Sequence, residues 1–341
     1  MANSKTSYMS RRSVLRAGAA ALAAPTFFVG KAHAANEKLK VGLLPGFAFG
    51  LYWVIQEEGF APGVEMEYDI FPSGPPAIEA MVGESVEVIT VGSVPPLIAM
   101  SRKIADFREI SIVTDAGPLF TIVGKPGING LADLEGKRVG VTTGSNFDYF
   151  LDTALELAGL KGLEMQRVNM EPMDGGAALI AGAIDATLPS LAAKAAIFDA
   201  LPEASMVVDG AELQGAQRPK ILDMLMTTQQ VIDAKEEALV EIVSAYHSKA
   251  IPMMREDYDG TVELITRWLK GVGRPNVTTD DVAPLLGVTD YQDRQGIKDA
   301  YASGEIKDAF ELQSNFLLKN ESIGELPDLD ALVDDTIVKK I

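Results

Sequence analysis

The sequence predicts an α/β protein of two lobes with a helical C-terminal region. Three observations carry this. From residue 39 onward, short strand-like segments alternate with segments whose apolar residues recur at helical spacing, the rhythm of mainly parallel sheets covered by helices on both faces. The chain has 341 residues, 47% of them hydrophobic, enough for two domains with their own cores. Beyond residue 227 the pattern becomes almost wholly helical.

In order, residues 39–44 read as a strand and 51–58 as a helix. Residues 64–71 alternate, with Val64, Met66, Tyr68 and Ile70 on one face, as a half-buried strand does. A helix over 75–82, a strand over 86–91, a short helix over 95–101 and strands over 110–114 and 120–123 follow. A second unit begins at Asp133-Leu134-Glu135-Gly136-Lys137. It continues as a strand over 138–142 and a helix opening near Ser145, whose stripe is Phe150, Leu151, Ala154, Leu155 and Ala158. Strands over 166–169, 186–188 and 206–208 are separated by helices over 177–183 and 192–198. A strand over 224–227 leads into helices over 236–255, 262–270, 280–286, 296–302 and 306–318. The expected division is lobe 1 from 35–124 and 225–341, with lobe 2, 125–224, inserted in it. Ligands of such sheets bind at the C-terminal ends of strands, so the crevice between lobes is the expected site.

The first residues read as an export signal. Ser10-Arg11-Arg12-Ser13-Val14-Leu15-Arg16 precedes a mild apolar run and then Ala32-His33-Ala34, an A-x-A cleavage site. This is the order of a twin-arginine signal over 1–34, with Val14 where Phe is usual. Cleavage after Ala34 without a following Cys leaves a protein free in the periplasm. The signal holds five basic and no acidic residues, so its removal takes the net charge from −18 to −23. A surface so acidic repels nucleic acid and anionic lipid. It leaves room for a small anionic ligand, because distant charges are screened over about 8 Å while donors act at contact.

No Cys is present, which excludes disulfides, thiolate metal sites and a cysteine nucleophile. After the signal only His247 remains, inside a helical pattern, and no Gly-x-Ser-x-Gly accompanies it. It reads as a packing or surface residue. No catalytic residue, cofactor or metal is expected.

Three segments carry a family resemblance. One runs Phe71-Pro72-Ser73-Gly74-Pro75-Pro76-Ala77-Ile78-Glu79-Ala80-Met81-Val82-Gly83-Glu84 and on to Val86-Glu87-Val88-Ile89-Thr90-Val91-Gly92-Ser93-Val94-Pro95. The second is Leu131-Ala132-Asp133-Leu134-Glu135-Gly136-Lys137-Arg138-Val139-Gly140-Val141, running into Gly144-Ser145. The third is Gly175-Gly176-Ala177-Ala178-Leu179-Ile180-Ala181-Gly182-Ala183-Ile184-Asp185-Ala186. In this order they resemble periplasmic solute-binding proteins of ABC importers, in the branch that serves aliphatic sulfonates, taurine, nitrate and thiamine-pyrimidine precursors. The resemblance covers roughly residues 37–230, with Glu87 in place of the usual Asp. It implies a type II periplasmic-binding-protein fold, a monomer, and capture of a small molecule by closure of two lobes before delivery to a membrane permease. Relatives of this fold include a pyrimidine-forming synthase with a Cys-rich motif and a desulfinase with a Cys nucleophile. This chain lacks both groups, so a binding protein is expected rather than an enzyme. A ligand sensor of the same fold is a further alternative, as is a pyrimidine or other aromatic solute.

The resemblance places residues 45–49, 73–74, 92–94, 144–147 and 188–190 in the cleft. Candidate ligand contacts are Phe47, Ser73, Ser93, Thr143, Ser145, Asn146, Phe147, Asp148 and Leu188. The three serines stand at strand-to-helix turns, where a hydroxyl can cap the helix or face a ligand. Phe47 and Phe147 suit a hydrophobic wall, which Asp115, Asp148 or Asp174 can complement for an amine. None of these loops holds Lys or Arg, which argues against phosphate and phosphonate unless Lys194 or Arg102 reaches in. A sulfonate or a taurine-like zwitterion fits better. The family places an aromatic or acidic residue after the Asp185-Ala186 strand, whereas this chain has Thr187-Leu188-Pro189-Ser190. Asp148 poses a choice: it closes a capping box with Ser145, or it faces a ligand's cationic end.

Overall fold

The computed structural model describes residues 36–213 and 220–341; the export signal read over 1–34 lies outside them. β1 (Glu37–Leu43) is followed by α1 (Phe47–Glu57), β2 (Val64–Ile70), α2 (Gly74–Val82), β3 (Val88–Gly92), α3 (Val94–Ser101) and β4 (Phe107–Asp115). The chain then forms β5 (Thr121–Gly124), β6 (Arg138–Val141), α4 (Asn146–Leu157), β7 (Gln166–Asn169), α5 (Pro172–Ile180), β8 (Ala186–Thr187), α6 (Leu191–Ala200) and β9 (Ser205–Asp209). β10 (Leu222–Thr228) opens the final part. It continues through α7 (Gln229–Ala245), a π-helical turn (Tyr246–Ala250), α8 (Ile251–Glu256), α9 (Tyr258–Gly271), α10 (Thr279–Val288), α11 (Arg294–Ser303), α12 (Glu305–Lys319), α13 (Leu329–Leu332) and α14 (Thr336–Lys340).

Two five-stranded sheets result, in the orders β2-β1-β3-β10-β4 and β7-β6-β8-β5-β9. In each, the first three strands are parallel and the fourth runs antiparallel to both its neighbours. β5, which the sequence reading assigns to lobe 1, therefore pairs in the second sheet, with Val123 opposite Thr187. β3 and β10 lie centrally and are buried on both faces, so they read as continuous apolar runs rather than alternating ones.

Several helices begin earlier than the sequence pattern predicts, α7 at Gln229 and α9 at Tyr258 among them, and for two others, α1 and α5, glycines explain the difference. α5 starts at Pro172 although Gly175 and Gly176 argue against helix there. A Cβ on Gly175 would lie 2.3 Å from Thr187 Oγ1, and one on Gly176 2.7 Å from Ala193 Cβ. These glycines let α5 approach β8 and α6. Gly50 does the same for α1, since its Cβ would lie 2.8 Å from both Ile265 and Trp268 of α9.

The tail packs chiefly on the first sheet and its helices: α9 against α1, and α14 against α7 and β4. α12 also reaches the second sheet's helices, where Phe316 meets Tyr149 edge-on at 5.1 Å and Glu156 accepts from Lys319 and Asn320. His247 lies fully buried in the π-helical turn. The Gln292 carbonyl, 2.7 Å from Nδ1, can only accept, so Nδ1 carries the proton and Nε2 accepts from the Ser111 hydroxyl at 2.7 Å. Burial lowers its pKa to about 4 and keeps the ring neutral. Glu109 is equally buried; Tyr301 donates to one of its oxygens, and desolvation pushes its pKa up to about 8.

Candidate functional site

A cavity of about 160 Å³ opens where the two sheets face each other. Leu44, Pro45, Gly46 and Phe47 reach it from the end of β1, Pro72 and Ser73 from the end of β2, and Gly92 from the end of β3. Opposite them stand Ser145, Asn146 and Phe147 after β6, Pro172 after β7, and Pro189 and Ser190 after β8. Every one of these segments follows the C-terminal end of its strand, where open α/β sheets bind ligands. The turn after α9 contributes Arg274 and Val277, and β10 contributes Asp223.

Hydrogen bonds cross this cavity's rim. Ser73 does not cap α2; its hydroxyl donates to Glu171 Oε1 at 3.1 Å. Asn146 Oδ1 accepts from the Val94 amide at 3.0 Å. Arg274 Nη1 donates to Ser190 Oγ at 3.1 Å. Each joins a segment of the first sheet's side to one of the second's, so the lobes are held together as in a closed cleft.

Of the predicted contacts, Phe47, Ser73, Ser145, Asn146 and Phe147 line the cavity. Four do not. Ser93 is fully buried, and its hydroxyl has no hydrogen-bond partner among the described residues. Leu188 is 1% exposed, held by its amide to the Gly140 carbonyl. Thr143 and Asp148 line a separate cavity of about 340 Å³ beside Arg102. Asp148 Oδ2 accepts from the Gly144 amide at 3.1 Å, while Oδ1 accepts from the Arg167 guanidinium. Ser145 donates to the Thr142 carbonyl at 2.6 Å and accepts from the Phe147 amide at 3.1 Å. The turn is therefore a capped helix start, with its carboxylate already paired.

Arg274 and Asp223 escape the sequence reading. Arg274 is half-buried, and among the described residues no carboxylate pairs with it. Burial lowers its pKa from the ordinary value, yet a guanidinium keeps its charge in a protein. It carries five N–H donors, and its protein partners are Ser190 Oγ and Met173 Sδ. Asp223 is 9% exposed; desolvation and nearby Asp115 raise its pKa well above the usual carboxylate range. A signal for Asp223 existed, a lone acid in an apolar strand. Arg274 had none, since it lies in the tail beyond the motif-bearing segments.

The NMT1/THI5-like family matches residues 56–259. A protein of Escherichia coli (strain K12), provisionally named an aliphatic sulfonates-binding protein, is 24% identical over 272 residues, 75% of this chain and 79% of its own. The alkanesulfonate-binding protein SsuA of Xanthomonas axonopodis pv. citri, solved bound to MOPS, superposes with a TM-score of 0.67 at 19% identity, covering 88% of this chain and 99% of that one. The desulfurization enzyme DSZB shares the fold at a TM-score of 0.59 and 16% identity, over 89% of this chain and 98% of its own. Two sheets, covering helices and a helical C-terminal region make this a periplasmic-binding-protein fold.

Proposed function

The chain belongs to the NMT1/THI5-like family, and from that premise we propose that it is the solute-binding component of an ABC importer. It captures a small organic anion such as a sulfonate between two lobes in the periplasm and presents the closed form to a membrane permease. It binds as a monomer and catalyses nothing. The observation that carries this is Arg274: a half-buried guanidinium, facing a mostly apolar cavity, with no acidic partner among the described residues. A desolvated cation is costly until an anion meets it, so the site favours a ligand that brings one. The likeness to sulfonate-binding proteins supports the same reading.

Closure follows from the same residue. Arg274 belongs to the turn after α9, which packs on α1, while its partner Ser190 belongs to the opposite lobe. A sulfonate bound between them contacts both lobes only when they are shut, which gives it the higher affinity for the closed state that closure requires.

Asp223 favours a second reading. A carboxyl at the cavity wall can pair with an ammonium, so an amine-bearing zwitterion would use both ends of the site. Calorimetry with taurine, methanesulfonate and nitrate on the native protein and on Arg274→Gln tests the anion reading. The substitution should lower anion affinity by about a hundredfold. An affinity that survives it removes Arg274 from the site.

A further inference from the structure

We propose that the solute is an aromatic monoanion, a flat ring bearing one acidic group, seated with its acid on Arg274 and its ring among Phe47, Phe120 and Phe147. This deepens the anion reading above and rests on it.

The number of charges comes first. Among the described residues lining the cavity, Arg274 is the one cation. The other ionisable group lining it is Asp223, which brings no positive charge to meet a second negative one. A dianion such as a phosphate monoester would bury one charge without a partner, a cost that excludes it from a site of this composition.

The body of the ligand follows from the donors that are missing. Pro45, Pro72, Pro95, Pro172 and Pro189 all line the cavity, and none has an N–H. α2 opens Gly74-Pro75-Pro76 and α3 opens Val94-Pro95-Pro96, so two of the free amides at each helix start are absent. The Val94 amide is already bonded to Asn146. Ser73 and Ser145 hydroxyls donate to Glu171 and to Thr142. Apart from Arg274, Asp223, the Asn146 side-chain amide and the start of α1, which no side chain caps, the walls thus offer a ligand few polar partners. A polar or heavily hydroxylated solute would lose its hydration there without replacement.

What remains is flat and rigid. Phe120 meets Phe147 edge-on, with centroids 4.8 Å apart at 62°, and stacks on Phe150 at 5.6 Å. A ligand ring added beside Phe120 and Phe147 extends an aromatic cluster whose geometry is already fixed. A ring also loses less conformational freedom on binding than an alkyl chain of equal size.

Calorimetry with benzenesulfonate, cyclohexanesulfonate, methanesulfonate, taurine and phenyl phosphate tests this. Benzenesulfonate should bind about tenfold or more tighter than methanesulfonate, taurine and phenyl phosphate, and several-fold tighter than cyclohexanesulfonate. Phe147→Ala should weaken benzenesulfonate by about fivefold and methanesulfonate by clearly less. Taurine, methanesulfonate or cyclohexanesulfonate binding as tightly as benzenesulfonate overturns the aromatic proposal and leaves the anion reading standing. Binding of none of these anions, or benzenesulfonate binding that is indifferent to Arg274→Gln, overturns the anion reading and this proposal with it.

Discussion

Gly92 and Asn146 meet across the cleft so closely that a Cβ on Gly92 would lie 1.5 Å from Asn146 Nδ2 and 2.5 Å from its Cγ. Gly92 ends β3 of the first sheet, and Asn146 opens α4 on the second. The contact, together with the Val94–Asn146 hydrogen bond, exists only while the lobes are together.

Gly92→Ala should therefore act on closure rather than on folding. Ligand affinity is expected to fall by about tenfold or more, while the melting temperature of the ligand-free protein changes little. Asn146→Ala in the same chain should restore part of the affinity, because it removes the atoms in the way. Calorimetry of the single and double variants reads this directly. If the double variant is no better than Gly92→Ala, the clash is not the cause.

Asp148 caps and pairs; it does not face the cavity. Asp148→Asn should cost about 1 kcal/mol of stability, through a weaker cap at Gly144 and a lost partner for Arg167. Solute affinity should stay within about threefold. A selective loss for amine-bearing solutes would restore Asp148 to the binding site.

Glu109 makes stability fall as pH rises from about 4.5 to 8. Its pKa is raised to about 8 in the folded protein against an ordinary 4.5, so the folded state binds the proton more tightly. Its contribution is whole below pH 4.5 and is lost as pH rises towards 8. Glu109→Gln keeps an acceptor for Tyr301 and has no proton to lose. Urea unfolding should show the variant gaining on the native protein from pH 5 to 8, by on the order of 2–3 kcal/mol. A gain that is flat with pH contradicts a protonated Glu109.

His247 has the opposite slope. Its pKa is lowered to about 4 from 6.5, so the unfolded chain takes up the proton first. The stability it preserves above pH 6.5 is lost as pH falls towards 4. Between pH 7 and 4.5 the native protein should lose on the order of 2–3 kcal/mol more than His247→Gln. Equal losses in the two would mean that His247 is not what titrates.

The alternation of apolar spacing located the strands and most helices because burial against a two-sided sheet imposes a period on each element. Some helix starts were misjudged where a glycine serves packing rather than turning. Gly50, Gly175 and Gly176 read locally as helix breakers, and only the approach of Trp268, Thr187 and Ala193 shows why they sit inside helices. The cleft was legible at Phe47 and Phe147, which sit in strand-to-helix loops whose position follows from topology. Ser93 and Leu188 are in such loops too, but burial turns them into the core, and no spacing rule distinguishes the two fates. Arg274 could not be read at all. Its place depends on how α9 packs on α1, a contact between residues some two hundred positions apart.

β10 is the fourth strand of the first sheet but the last of all strands in the chain, and it lies between β3 and β4. Until residues 222–228 have been made, β3 and β4 have no neighbour joining them, and that sheet is split along its middle. The second sheet is complete by residue 209. Synthesis from the N-terminus thus finishes the inserted half first, while the apolar edges of β3 and β4 stay open from the end of β4 at Asp115 until β10 begins at Leu222. The long-range pairing of Leu225 with Thr90 and Ser111 then closes the gap. This late seam is where a slow or interrupted chain is most exposed to aggregation.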